Sequence, residues 1–160
     1  MYKRQIEIFE NCMNNILKND VYCRFLKGEI RERVFLFDLK YDGKPAVNCK
    51  SKIDLVNDKS WLVDIKTTVS LDDMKKSMDK YRYDLQLSFY EESLKKNKIE
   101  TKGVSIFAIE KTPPYHSRIF LISKKMLNRG KYGDNYFRGW KDLVKEMKFG
   151  ESKETIYDEI

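Results

Sequence analysis

One histidine and three cysteines in 160 residues leave little for imidazole or thiolate chemistry. His116 alone supplies neither a His-based zinc site nor a Ser-His triad. Cys12, Cys23 and Cys49 form no C-x-x-C pair and no disulfide framework. Three scattered thiols also fall short of the four that hold an iron–sulfur cluster. They read as reduced thiols in a cytoplasmic protein. No apolar run approaches the roughly 20 residues that span a bilayer, so no membrane association is expected. The first residues, MYKRQIEIFE, carry no apolar h-region, and no signal peptide is expected. There is no internal repeat and no low-complexity segment.

What the chain has is charge and alternation. Its 32 basic against 25 acidic side chains give a net charge of +7. That excess suits a polyanionic partner such as DNA, without singling it out. The length reads as one domain over 1–160, large enough for one core, with a polar tail at 150–160. Apolar spacing predicts a helix over 4–18 and a loop near Gly28. Strands follow at 30–40, 45–56 and 61–67, with a hairpin signal at Asp42-Gly43. A long helix is expected over 70–97, capped by Ser70, with Met74, Met78, Tyr81, Leu85, Phe89 and Leu94 along one line. Strands at 104–110 and 118–122 flank a turn at Pro113-Pro114. A last helical region starts at Ser123, breaks in a basic loop at 129–135, and resumes from Phe137 to Met147.

The stretch IDLVNDKSWLVDIK, residues 53–66, holds the chemistry. It reads as strand, tight turn, strand. Side chains two apart share a face, so Asp64 and Lys66 look one way while Val63 and Ile65 look the other. Asp54 returns across the hairpin toward Asp64. Two neighbouring carboxylates repel unless a cation sits between them. A hard divalent cation takes oxygen ligands, and it can activate a water and stabilise charge on a phosphoryl oxygen. Lys66 would orient that water or neutralise the developing charge. Trp61, Leu62, Val63 and Ile65 mark this strand as largely buried, where charges need a partner or a metal. Lys52, two before Asp54, is expected on its face, where it would hold phosphate or balance the carboxylates.

Asp54 followed by Asp64-Ile65-Lys66 resembles the PD-(D/E)XK nuclease superfamily. DIKTT at 64–68 and YRYDLQLSFY at 81–90 resemble the exodeoxyribonuclease VIII (RecE-type) branch, related to phage lambda exonuclease. The likeness runs over roughly 32–122. Ile53 stands where the superfamily often has proline, a residue with no chemical role. The resemblance implies an α/β (α+β) restriction-endonuclease-like core, a mixed central sheet flanked by helices. It implies Mg²⁺, with Mn²⁺ as a substitute, held by Asp54, Asp64 and the Ile65 carbonyl. Glu32 is either a third metal carboxylate or a solvated strand-end charge. Gln86, with Tyr83 and Tyr90 on its own helix face, is the glutamine that positions water or phosphate. Expected DNA contacts are Lys52, Thr67, Thr68, Tyr83 and Tyr90.

The expected activity is metal-dependent hydrolysis of DNA, acting from double-stranded ends in recombination or repair and leaving a 5′-phosphate. Two alternatives stay open: an endonuclease on the same core, and a retired fold that binds DNA or a partner without cutting. The resemblance further implies a phage-type origin, a single-strand annealing protein as partner, and a homo-oligomer whose closure into a ring is left open.

Overall fold

The computed structural model describes residues 2–150, so the tail expected at 150–160 lies outside the described residues apart from Gly150. In chain order the elements are α1 (Tyr2–Leu17), α2 (Asp20–Phe25), β1 (Ile30–Leu39), β2 (Val47–Val56), β3 (Trp61–Thr68), α3 (Met74–Lys80), α4 (Tyr83–Lys96), β4 (Gly103–Glu110), β5 (Ser117–Ile122), α5 (Lys124–Tyr132) and α6 (Trp140–Phe149). The five strands form one sheet in sequence order. β3 and β4 run parallel, joined through α3 and α4, and every other neighbouring pair is antiparallel. This is a mixed sheet flanked by helices, as the strand pattern and the resemblance implied.

The period-two alternation of β3 sorts its side chains between two layers. Leu62 packs with Ile106, Leu71, Met74, Leu87 and Leu94, on the face covered by α3 and α4. Val63 packs with Phe107, Leu55 and Ile16, on the face covered by α1 and α2. Asp64 and Lys66 share the parity of Leu62 and therefore face α4. A third cluster seats Trp140 of α6 against Phe37, Leu39 and Val47 at the far end of the β1–β2 hairpin.

The alternation slips once in each strand of that hairpin. Ile53 and Val56 join one layer although they are three apart, while Leu55 joins the other. In β1, Ile30 and Phe35 join the same layer although they are five apart. Between them Glu32 takes a φ of 48°, which breaks the strand conformation opposite Asp54. Lys52 and Asp54 therefore do not share a face as regular two-residue spacing would have it.

Three expectations are corrected. The helix over 70–97 is two helices, because Arg82 adopts a left-handed φ of 51° and ψ of 48°. Ser70 is not its cap. Its backbone N–H donates to Thr68 Oγ1 at 3.3 Å, and α3 starts only at Met74. The basic loop at 129–135 is mostly helix, since α5 continues to Tyr132. In addition, Asn19 does more than end α1: its side chain caps α2 by accepting from the Val21 and Tyr22 N–H groups.

Gly130 explains why α5 stays helical through a stretch rich in glycine and cations. A Cβ there would lie 2.0 Å from the Asp84 carbonyl oxygen and 2.6 Å from Ser88 Oγ, so its absence lets α5 lie directly on α4. Gly130→Ala is expected to force the two helices apart, at a cost of about 1–3 kcal/mol or more. At roughly 2–4 °C per kcal/mol for a domain of this size, thermal unfolding should show a drop of several degrees. Ala at Gly43, where no atom lies within 4 Å, should cost only the positive-φ penalty of about 1 kcal/mol. Equal shifts for the two variants would refute the close-packing account.

Candidate active site

β2 and β3 pair only at Leu55↔Val63 and Val56↔Leu62. Beyond that point they part, and the β3 backbone on this side needs another acceptor. Asp54 supplies it: its Oδ2 accepts the Ile65 N–H at 2.8 Å. The hydrogen bond orients the Asp54 carboxylate at the mouth of the fork and leaves its other oxygen uncommitted to the backbone.

Asp64 is 1% exposed. Lys66 Nζ lies 2.7 Å from its Oδ2 and forms an ion pair with it, whereas Oδ1 is buried without a partner. Burial pushes the Asp64 carboxyl above the usual carboxylate range; Lys66 pulls it down and Asp54 pushes it up again. The net shift is upward. Lys66 is itself half-shielded, with its ammonium 5.2 Å from the Tyr83 ring centroid.

Gln86 donates from Nε2 to Tyr90 Oη at 2.9 Å, one turn along α4. That bond fixes the amide and leaves its Oε1 as an acceptor. Thr67, Thr68 and Tyr83 line a pocket of about 270 Å³ together with Ser77, Tyr81 and Lys111. Thr68 Oγ1 donates to the Ser70 carbonyl at 2.9 Å. Lys52 and Glu32 form an ion pair with each other, their side chains 58% and 64% exposed. Glu32, across from Asp54 in the β1–β2 register, is paired with Lys52 at the surface. A pocket of about 870 Å³ lies between α3 and α5, and none of Asp54, Asp64 or Lys66 lines it.

These groups fit a divalent cation of the Mg²⁺ kind. The buried Asp64 carboxylate has one oxygen, Oδ1, without a partner. Asp54 stands near it with one oxygen tied to the Ile65 N–H, and Ile65 follows Asp64 directly, so its carbonyl is within the same stretch of β3. Among the described residues no cluster of three or more His, Cys, Asp or Glu forms. Mg²⁺ commonly takes only one or two carboxylates and keeps several waters, so two suffice.

One group essential to the site's shape escaped the sequence reading. Asp84 is fully buried. Arg82 grips both its oxygens, at 3.0 and 3.2 Å, and Arg129 Nε reaches Oδ2 at 2.9 Å. Arg129 also holds Asp79 at 2.7 Å, and Arg82 donates to the Arg138 carbonyl at 3.0 Å. Burial alone would raise the Asp84 carboxyl, but the two guanidiniums outweigh it and hold it below the usual range. This network sets the left-handed turn at Arg82 and so the first turn of α4, which carries Tyr83 and Gln86. The signal was an acid inside an apolar helical run, which needs a partner.

The two buried aspartates titrate in opposite senses. Asp64 has a raised folded-state pKa. Its ionisation penalises folding, and that penalty appears as pH rises through the folded value. Asp64→Asn is expected to stabilise the metal-free protein at pH 7–8, with the gain fading toward pH 4. Asp84 has a lowered folded-state pKa, so its contribution is present above the unfolded value and lost as pH falls through the folded one. Asp84→Ala is expected to cost about 3–5 kcal/mol at neutral pH, because it strands buried guanidiniums. Thermal melts in chelator across this range check both signs; a destabilised Asp64→Asn at pH 8 would contradict the first.

No curated protein matches the chain in sequence. Among solved structures, the chain superposes on a "putative exonuclease" from Eubacterium rectale with a TM-score of 0.69 at 18% identity, covering 95% of this chain. The chain spans 58% of the length of that structure. At this identity the likeness bears on the fold. A second structure, the protein SSO0001, covers 62% of this chain and 45% of its own at 20% identity, with a TM-score of 0.39 that carries no weight. Residues 1–154 match the family described as a PDDEXK-like domain of unknown function, DUF3799. With a mixed sheet, a fork between β2 and β3, and Asp54, Asp64 and Lys66 gathered at it, the chain belongs to this PDDEXK-like family.

Proposed function

We propose that the protein is a divalent-metal-dependent deoxyribonuclease that works from the ends of double-stranded DNA, in the manner of the exodeoxyribonuclease VIII (RecE-type) branch. The observation that carries this reading is Asp64: a carboxylate 1% exposed whose Oδ2 is paired with the Lys66 ammonium at 2.7 Å and whose Oδ1 has no partner. Asp84, the structural counterpart, has both oxygens taken up by guanidiniums. A buried carboxylate oxygen left open at a strand fork, next to a second carboxylate, suits a cation.

Asp54, Asp64 and the Ile65 carbonyl would hold Mg²⁺, or Mn²⁺ in its place. When bound, the metal supplies Lewis-acid polarisation of a phosphoryl oxygen and of a water. Lys66 keeps its positive charge beside Asp64 and faces the charge that builds on the phosphate as the P–O bond to the leaving oxygen breaks. The Gln86 side chain, braced by Tyr90, orients the attacking water or a non-bridging phosphate oxygen. The products are a 5′-phosphate and a 3′-hydroxyl. A basic surface draws the polyanion in. The exonuclease designation of the Eubacterium rectale structure agrees with attack at ends. A recombination setting of phage type, with a single-strand annealing protein as partner, goes with the same branch, as does a homo-oligomer.

Linear duplex DNA and closed circular DNA, each with Mg²⁺ and with EDTA, test the reading. Metal-dependent loss of the linear form alone is expected. Asp64→Ala and Lys66→Ala should each lower the rate by about 10²–10³ or more while remaining folded. Normal cutting by both variants would sink the site; cutting of the circle would make the enzyme an endonuclease. Mg²⁺ should also raise the melting temperature of the wild type, as any ligand of the native state does, but not that of Asp64→Ala.

A further inference from the structure

Next to the Asp64–Lys66 pair lies an aromatic feature that phosphodiester hydrolysis does not itself require. Tyr83, contacted by the Lys66 ammonium, is stacked on Tyr81 with ring centroids 5.9 Å apart and planes 24° from parallel. Lys80 Nζ lies 5.3 Å from the Tyr81 centroid. A chain of contacts therefore leads from Lys66 outward through two rings to a second cation. Tyr81 is 58% exposed, although a ring of that size gains by burial. It sits in the link between α3 and α4, held in place by the left-handed turn at Arg82 and the Asp84 network behind it. The exposed ring is thus presented on a rigid support.

Both rings border the pocket of about 270 Å³, close to the lower limit of roughly 300 Å³ for small-ligand sites. Thr68 and Ser77 add polar walls and Lys111 adds an exposed ammonium. Asp73, also on the wall, is engaged by Lys76 at 3.0 Å. A flat aromatic platform with an ammonium on the same pocket wall matches a nucleotide, its base taking the place of the exposed Lys80 side chain over the ring and its phosphate on Lys111. Bases inside a duplex stack on each other and offer no face to Tyr81. The nucleotide that fits is unpaired.

We propose that Tyr81 and Lys111, with Tyr83, form a subsite for one unpaired nucleotide of a DNA strand, its base stacked on Tyr81 and its phosphate against Lys111. The proposal rests on the nuclease reading above for its choice of polymer. It makes the substrate a single-stranded or frayed end rather than an intact blunt one.

Binding without cleavage tests it. Labelled oligo-dT of about 12 nucleotides and an abasic strand of equal length are titrated in EDTA against the wild type, Tyr81→Ala, Tyr81→Phe and Lys111→Ala. Stacking is worth about 1–3 kcal/mol per base, so Tyr81→Ala should weaken oligo-dT binding roughly 5- to 150-fold and leave abasic binding unchanged. Tyr81→Phe should stay within about 2-fold of the wild type, because the ring is retained. Lys111→Ala should weaken both strands alike and lower the salt slope by about one. Unchanged oligo-dT binding by Tyr81→Ala, or an equal loss on the abasic strand, overturns the proposal. Cleavage plays no part in the readout. A protein that never cuts but shows the base-dependent loss retires the nuclease reading and keeps the subsite. An active enzyme without that loss does the reverse.

Discussion

The fork between β2 and β3 is the constraint on which the rest of the site depends. Two strands that stayed paired to their ends would satisfy every backbone N–H and leave no gap for carboxylates. Here pairing stops after Leu55↔Val63, and Asp54 takes over as acceptor for the Ile65 N–H. One side chain thereby replaces a ladder hydrogen bond and becomes oriented toward Asp64. The same opening explains the slip in alternation at Asp54 and the positive φ of Glu32 across from it. Irregularities of this kind recur beside active sites because they re-aim side chains.

Two buried aspartates show how environment divides one residue type between two tasks. Asp84 is enclosed by Arg82 and Arg129, which satisfy its oxygens and favour its charge. It is structural, and it carries the geometry of α4. Asp64 has one ammonium, on Oδ2, and its Oδ1 has no partner. Burial raises its carboxyl above the usual range. The electrostatic cost at Asp64 arises because the surrounding layer of Leu62, Ile106, Met74 and Leu87 is densely apolar.

The helices act as a brace for this asymmetry. Gly130 lets α5 approach α4 closely enough for Arg129 to reach Asp84. Arg82 needs its left-handed turn to grip the same carboxylate. Together they aim Tyr83 at Lys66 and leave Tyr81 at the surface. Packing on the far side of α4 thus decides what stands beside Asp64 and Lys66 on β3.

Local pattern alone determined much of this protein. Apolar runs bounded by turn signals located the five strands of the sheet, and in β3 the two-residue period placed Asp64 and Lys66 on one face. The D-x-K spacing and the downstream Gln86 pointed to the family to which the chain belongs. These features were legible because they depend on neighbours a few residues apart. Contacts between distant segments decided the rest. The helical course through Gly130, the reach of Arg129 to Asp84 and the pairing of Glu32 with Lys52 arise between residues far apart in sequence, and the break at Arg82 combines a contact to Asp84 two residues on with one to the distant Arg138 carbonyl. Periodicity ran one apolar line through Tyr81 because Met74 to Leu94 keeps helical spacing; the bend there comes from a salt bridge it cannot register. The raised Asp64 carboxyl is likewise a property of burial, which forms only when the sheet is covered by α3 and α4.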